Sequence, residues 1–221
     1  MRRKRRLDER ISACDRHLIF VEGGELYKKT EEEKYRILDL NELFGNSNDV
    51  YLDLGCGNGN FSLVSAKIHP DKNYLGVEKI SNVLIVGAER AKEENPDNCL
   101  FLNCAVENLK YYLKENSISG IYLNFSCPYP KGTYKNKRLT YPKFLELYKY
   151  LLKYGGKIEL KTDNEEFFDY SLLNLKENGF TVEFETRDLY LSGNTEDNVQ
   201  TEYEKNFLNQ GKKILKLKAT K

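Results

Sequence analysis

The sequence predicts an α/β domain built on a doubly wound, mostly parallel sheet. Short apolar runs alternate with helical stripes over roughly 170 residues, the pattern of repeated strand–helix units. The first well-defined run, Val50–Leu54, ends in a glycine-rich turn, as ligand-binding sheets of this class do. The length also fits: 221 residues with 40% hydrophobic and 31% charged side chains suit one such domain and can bury a sizeable core.

Residues 1–30 read as an irregular, basic N-terminal arm, with one short apolar patch at Leu18–Val21. Whether that arm is ordered without a partner is left open. A single domain is expected over 31–221. Residues 31–44 fit a helix carrying Tyr35, Leu38 and Leu43 on one side. Val50–Leu54 is the first core strand, Phe61–Ile68 the helix after it, and Tyr74–Glu78 the second strand. A helix is expected over Val83–Glu94, a strand at Leu100–Leu102, a helix over 106–115 and a strand at Ile121–Phe125. Tyr141, Phe144, Leu145, Tyr148, Leu151 and Leu152 repeat as the apolar stripe of a helix, which Gly155-Gly156 stops as a C-cap. Lys157–Lys161 is a strand, 164–177 a helix and 180–185 a strand. The tail Lys213–Lys218 alternates strictly and predicts a final, half-exposed strand. No crossover helix is visible before it, so the last two strands are expected to pair antiparallel at one edge.

Several functions are disfavoured at once. No window approaches 18 apolar residues, so no transmembrane helix and no membrane partner are expected. The charged N-terminus lacks the apolar core of a secretory signal. Five cysteines (14, 56, 99, 104 and 127) form no Cys-x-x-Cys pair, and there are only two histidines, so no metal site is expected. Five free thiols suit a reducing cytoplasm. The net charge is only +1, so a nucleic-acid partner must meet local basic clusters. Arg2, Arg3, Lys4, Arg5 and Arg6 form one, though such a tail is equally compatible with a solvated, inert end.

The turn Asp53-Leu54-Gly55-Cys56-Gly57-Asn58-Gly59 is the first candidate site. Gly55, Gly57 and Gly59 can take positive φ and let the backbone approach a ligand. The following helix start favours an anionic or polar group. The spacing is not the Gly-x-Gly-x-x-Gly of dinucleotide binders. Glu78, at the end of the next strand, stands where a carboxylate can grip ribose hydroxyls. Asp53 either joins the ligand or caps the turn.

A second constellation follows the fourth core strand: Asn124-Phe125-Ser126-Cys127-Pro128-Tyr129-Pro130-Lys131. Two prolines stiffen this loop. Lys131, Lys135, Lys137 and Arg138 then interleave with Tyr129 and Tyr134, a pairing suited to a phosphate backbone and a stacked base, or to a solvated basic loop.

In these motifs the chain resembles the bacterial tRNA (guanine-N7-)-methyltransferases. The most specific matches are Tyr122–Ser126 with Pro128-x-Pro130-Lys131, Lys137-Arg138-Leu139-Thr140, Lys161-Thr162-Asp163-Asn164 and Thr201-Glu202-Tyr203-Glu204-Lys205. The resemblance implies a Rossmann-like class I methyltransferase fold, a seven-stranded, mostly parallel sheet with an antiparallel last strand. It implies methyl transfer from S-adenosylmethionine to N7 of a guanine in the tRNA variable loop. It places Asp53, the glycine turn, Glu78, Cys104-Ala105 and Cys127 at the cofactor. It places Lys131, Asp163, Thr201, Glu202, Tyr203 and Glu204 at the target nucleotide, with Lys135, Lys137 and Arg138 on RNA. A monomer and a homodimer both remain open.

Two departures stand out. The family usually carries Asp-Pro-Trp where this chain has Cys127-Pro128-Tyr129, and that aspartate is the residue normally assigned to catalysis. It also tends to carry Asp-Ala near Cys104-Ala105. Guanine N7 has no proton to remove, so the reaction demands alignment and charge stabilisation rather than a strong base. A neutral thiol does not supply a carboxylate's charge, so an active but slow enzyme is expected. The competing readings are an impaired paralogue that still binds S-adenosylmethionine or tRNA, and a small-molecule methyltransferase, which the basic segments disfavour.

Overall fold

A computed structural model describes residues 4–21 and 37–221. The chain resolves into two compact units, Met1–Lys114 and Glu115–Lys221.

In the first unit, helix α1 (Leu7–Ser12) leads to strand β1 (Leu18–Phe20). After α2 (Leu40–Phe44) come β2 (Val50–Leu54), α3 (Asn60–Ile68), β3 (Asn73–Val77), α4 (Ser81–Glu94) and β4 (Cys99–Asn103). The strands lie in the order β1-β4-β3-β2, all parallel. β3 and β4 are buried at every position, as parallel strands covered on both faces must be. Leu52, Leu54, Leu75, Val77, Phe101 and Leu102 form the centre of this core.

The irregular arm expected over 1–30 is corrected where it is described. α1 is anchored by Arg10, whose guanidinium bonds both oxygens of Glu89 on α4 at 2.6 Å. Leu7 and Cys14 are buried beside it, and Leu18 of β1 pairs with Phe101. Of the cluster at the start, Arg2 and Arg3 lie outside the described residues, as does Tyr35 of the expected 31–44 helix. Among the described residues of that span, a helix is found at Leu40–Phe44, where Asp39 accepts from the Asn41 and Glu42 amides. The 106–115 helix shrinks to a 3-10 helix, Val106–Tyr111.

In the second unit, β5 (Ile118–Asn124), a 3-10 helix (Gly132–Lys137), α5 (Pro142–Leu151), β6 (Leu152–Thr162), α6 (Glu165–Glu177), β7 (Thr181–Thr186), α7 (Glu202–Asn209) and β8 (Leu215–Thr220) follow. The order is β5-β6-β8-β7. β5 and β6 are parallel, and β8 runs antiparallel to both β6 and β7, so the last strand alone is reversed. With four strands in each unit, the described residues carry one more than the seven expected, and β1 is the addition.

Three local expectations change here. Gly155-Gly156 does not cap a helix. α5 ends at Leu151, and the glycines lie within β6 where its register against β5 slips between Ile118 and Gly120, a bulge that Gly155 permits with φ +74°. A helix, α7, fills the loop expected before the last strand. β8 is not half-exposed: it lies between two strands, and Lys216 is buried against Glu159 at 2.9 Å. The edge falls to β7, whose Glu183 and Glu185 pair with Lys157 and Lys176, charges that discourage edge-to-edge association.

Candidate active site

In the first unit the glycine turn leaves β2 and enters α3. Gly55, Gly57 and Gly59 have φ of +75°, +58° and +72°, so all three use the left-handed region that glycine tolerates. The Gly55 and Cys56 amides both donate to the Val77 carbonyl, at 2.8 and 3.1 Å, which ties the turn to the end of β3. A Cβ on Gly59 would meet Phe101 at 2.4 Å, whereas one on Gly57 would meet nothing within 4 Å. The turn is therefore packed tightly beneath Gly59 and open beside Gly57, the shape of a cradle for a ligand. Gly59 caps α3 without a side chain, turning the positive end of the helix toward that cradle.

Asp53 is 2% exposed, and its carboxylate accepts from the Ser62 hydroxyl at 2.8 Å. It braces the turn from within. Glu78 is half-buried at the mouth, where the Ile80 amide donates to its carboxylate at 2.9 Å and so fixes its orientation. Its backbone carbonyl accepts from Asn103 and from the Cys104 amide. Cys104 is buried, its thiol donating to the Ala105 carbonyl at 3.2 Å, while Ala105 is half-buried. Burial pushes the Cys56 thiol well above its ordinary value, and the Asp53 and Glu78 carboxylates push the same way, so it adds no charge to the turn.

In the second unit the loop after β5 holds two non-glycine residues with positive φ, Phe125 (+50°) and Tyr129 (+42°). The Phe125 amide donates to the Lys161 carbonyl at 2.8 Å. Cys127 is exposed. Lys131, Lys135 and Lys137 are exposed along the 3-10 helix, with the Lys137 ammonium 4.6 Å over the Tyr134 ring. Arg138 departs from the pattern. It is 1% exposed, it donates to the Tyr129 carbonyl and to Glu166, and its guanidinium stacks 4.5 Å over Tyr170. The residue expected on RNA is instead the clamp that holds the proline loop.

The Thr-Glu-Tyr-Glu segment divides in the same way. Thr201 and Glu204 are buried and form a capping box at the start of α7, whereas Glu202 and Tyr203 are exposed. Glu204 meets Lys161 at 2.6 Å and also accepts from Asn198 and Tyr190. Burial alone pushes its carboxyl up, but the Lys161 charge and the surrounding hydrogen bonds outweigh that and hold it below the ordinary range. Asp163, half-buried, bonds Lys212 at 2.6 Å. Sequence reasoning missed the roles of Lys161, Lys212, Ser62 and Tyr190. Only Lys161 lay within a recognised motif.

Among the described residues no cluster of metal-ligating side chains occurs, and no helix is long and apolar enough to cross a membrane.

A family model described as "Putative methyltransferase" matches residues 47–217. A tRNA (guanine-N(7)-)-methyltransferase from Geobacillus kaustophilus is 41% identical over 180 residues, covering 81% of this chain and 82% of its own. A protein of the same name from another Geobacillus species is 37% identical over 214 residues, covering 97% of this chain and 92% of its own. Among solved structures, an antibiotic-related methyltransferase superposes with a TM-score of 0.63 at 19% identity, over 84% of this chain and 97% of its own. The 16S rRNA methyltransferase KamB superposes with a TM-score of 0.62 at 14% identity, over 84% and 94% of the two chains. At these identities the two structures establish the shared fold, the Rossmann-like fold of class I methyltransferases.

Proposed function

The chain belongs to the tRNA (guanine-N7-)-methyltransferase family, and on that premise we propose that it transfers a methyl group from S-adenosylmethionine to N7 of a guanine in the variable loop of tRNA. The observation that carries this reading is identity above one third sustained over nearly the whole chain, together with the glycine cradle that follows β2.

S-adenosylmethionine supplies a methyl group on a sulfonium, which needs no further activation. The first unit carries the residues for holding it. The open side of Gly57 leaves room for the ligand's backbone contacts, Asp53 and Ser62 keep the turn in shape, and Glu78 offers an oriented carboxylate to ribose hydroxyls. Cys104 and Ala105 bound the adenine side in this reading.

The second unit carries the acceptor residues. Asp163 and Glu202 are suited to the guanine N1–H and amino group, and Lys131, Lys135 and Lys137 to phosphates. Thr201, Glu204 and Arg138 act behind them. Thr201 and Glu204 fix the first turn of α7, which presents Glu202 and Tyr203, and Arg138 fixes the loop that presents Cys127. No proton is taken from N7, so these residues need only align the nucleophile and stabilise the charge that builds on the ring. We place the protein in the cytoplasm, with its tRNA substrate.

The test is incubation of the purified protein with labelled S-adenosylmethionine and tRNA lacking 7-methylguanosine. Label recovered at guanine N7 is the expected result. Label at another position, or none, would overturn the reading.

A further inference from the structure

We propose that Phe125, Tyr203 and Phe207 form an aromatic wall on which the acceptor guanine stacks, and that this wall favours the purine as it becomes a cation. The inference rests on the guanine-N7 reading above, which places Tyr203 at the target nucleotide without a chemical role, and it adds Phe125 and Phe207 beside it.

The three rings form one cluster within the second unit. Phe125 and Phe207 have centroids 5.5 Å apart, Phe125 and Tyr203 6.5 Å, and Tyr203 and Phe207 6.4 Å, all tilted. Tyr203 is 64% exposed on the first turn of α7, although burying an aromatic ring is normally favourable. Phe125 is held at φ +50°, a conformation that costs a non-glycine residue stability and is retained where function requires it. The capping box and the buried Lys161–Glu204 pair fix the turn that carries Tyr203. A flat, exposed, rigidly mounted ring is what a base stacks on.

Two further observations point to the ligand. The Lys212 ammonium lies 4.4 Å over Phe207, so one face of the cluster already attracts a cation. On either side of Phe125 in the chain, Asn124 Nδ2 and Ser126 Oγ are buried polar atoms without a hydrogen-bond partner. Both can donate, and guanine offers an acceptor, O6, on the edge it shares with N7.

The chemistry makes the wall selective. The N7 lone pair forms the new bond to the methyl carbon, and the carbon–sulfur bond breaks with its electron pair returning to sulfur. The sulfonium becomes a neutral thioether, the guanine becomes a 7-methylguanosine cation, and no proton moves. Positive charge thus passes to the ring that lies on the wall. An aromatic face that attracts cations binds the purine more tightly as the transfer proceeds, which is the condition for lowering the barrier. It also offers a source of the charge stabilisation that Cys127 does not supply.

The test compares binding of 7-methylguanosine monophosphate and guanosine monophosphate to the wild type, Tyr203→Phe and Tyr203→Leu, with single-turnover methylation of tRNA measured in parallel. The wild type and Tyr203→Phe should prefer the methylated nucleotide by about 3- to 30-fold. Tyr203→Leu should bind the two nearly equally and methylate more slowly by a similar factor, with tRNA affinity changing less. Equal binding of the two nucleotides by the wild type would overturn the proposal. So would a Tyr203→Leu variant that methylates as fast as the wild type, even if free nucleotides bind too weakly to compare. Failure of the wild type to label guanine N7 would be failure of the underlying reading, and the same assay reads it separately.

Discussion

At position 127 an exposed thiol stands where the resemblance stated above leads one to expect a carboxylate. Removing one electrostatic contact from a transition state typically costs 100- to 1000-fold in rate, roughly 3–4 kcal/mol. Cys127→Asp should therefore raise the single-turnover rate on tRNA by about tenfold or more, and an unchanged or lower rate would show that the thiol is no handicap. Glu204 illustrates the opposite situation, a charge that matters because it is hidden. It is 0% exposed and 2.6 Å from Lys161, and losing one partner of a buried pair typically costs about 3–5 kcal/mol. Its carboxyl is held below the ordinary 4.5, so its stabilising contribution is present above that pH and is lost as pH falls through the depressed value. Glu204→Gln should melt lower at pH 7 yet lose less on acidification from pH 5 to pH 3, as thermal melts at each pH would record. A parallel decline of the two proteins would contradict this. The sequence marks Glu204 as part of a motif but not as buried. Its partner Lys161 is 43 positions away, and a charge run looks the same whether it faces water or an opposite charge.

At the scale of elements, tight packing between the glycine turn and α4 reverses an ordinary rule. Gly87 sits inside α4, where alanine normally stabilises a helix by about 1 kcal/mol. Here a Cβ would come within 2.6 Å of the Asn58 carbonyl oxygen, a backbone atom of the turn, and 3.2 Å of the Gly59 Cα. Gly87→Ala is expected to destabilise the protein by about 1–3 kcal/mol and to weaken S-adenosylmethionine binding together with it. A higher melting temperature with unchanged cofactor affinity, by differential scanning and titration calorimetry, would refute that. The central strands and their helices were legible because strong apolar periods extend over several turns. Three elements were not. β1 has only three residues and depends on β4 for its pairing. α7 is a short, polar helix whose capping box reads in the sequence as a binding motif. Gly155-Gly156 carries the same letters in a bulge as in a helix cap, and only the partner strand distinguishes them.

For the whole molecule, 35 basic against 34 acidic side chains leave almost no long-range attraction for a polyanion such as tRNA. Binding must then depend on where charge is left uncompensated. Many basic groups are already engaged: Arg10 with Glu89, Arg16 with Asp97, Arg138 with Glu166, Lys161 with Glu204. Lys131, Lys135 and Lys137 differ. They are exposed along one short segment, and among the described residues none is paired with an acid. The sequence expectation counted Arg138 with this basic loop, because composition does not separate a guanidinium that stacks inside from ammonium groups that reach out. Each phosphate contact releases counterions, so the logarithm of affinity falls with the logarithm of salt by about 0.7–0.9 per contact. Changing the three lysines to alanine together should weaken tRNA binding at low salt and flatten the salt dependence by about 2–3 in slope, while S-adenosylmethionine affinity stays as it was. Filter-binding titrations at several salt concentrations measure this directly. A triple variant with the wild-type slope would mean that the phosphates are held by another surface, and the role assigned to this loop would have to be given up.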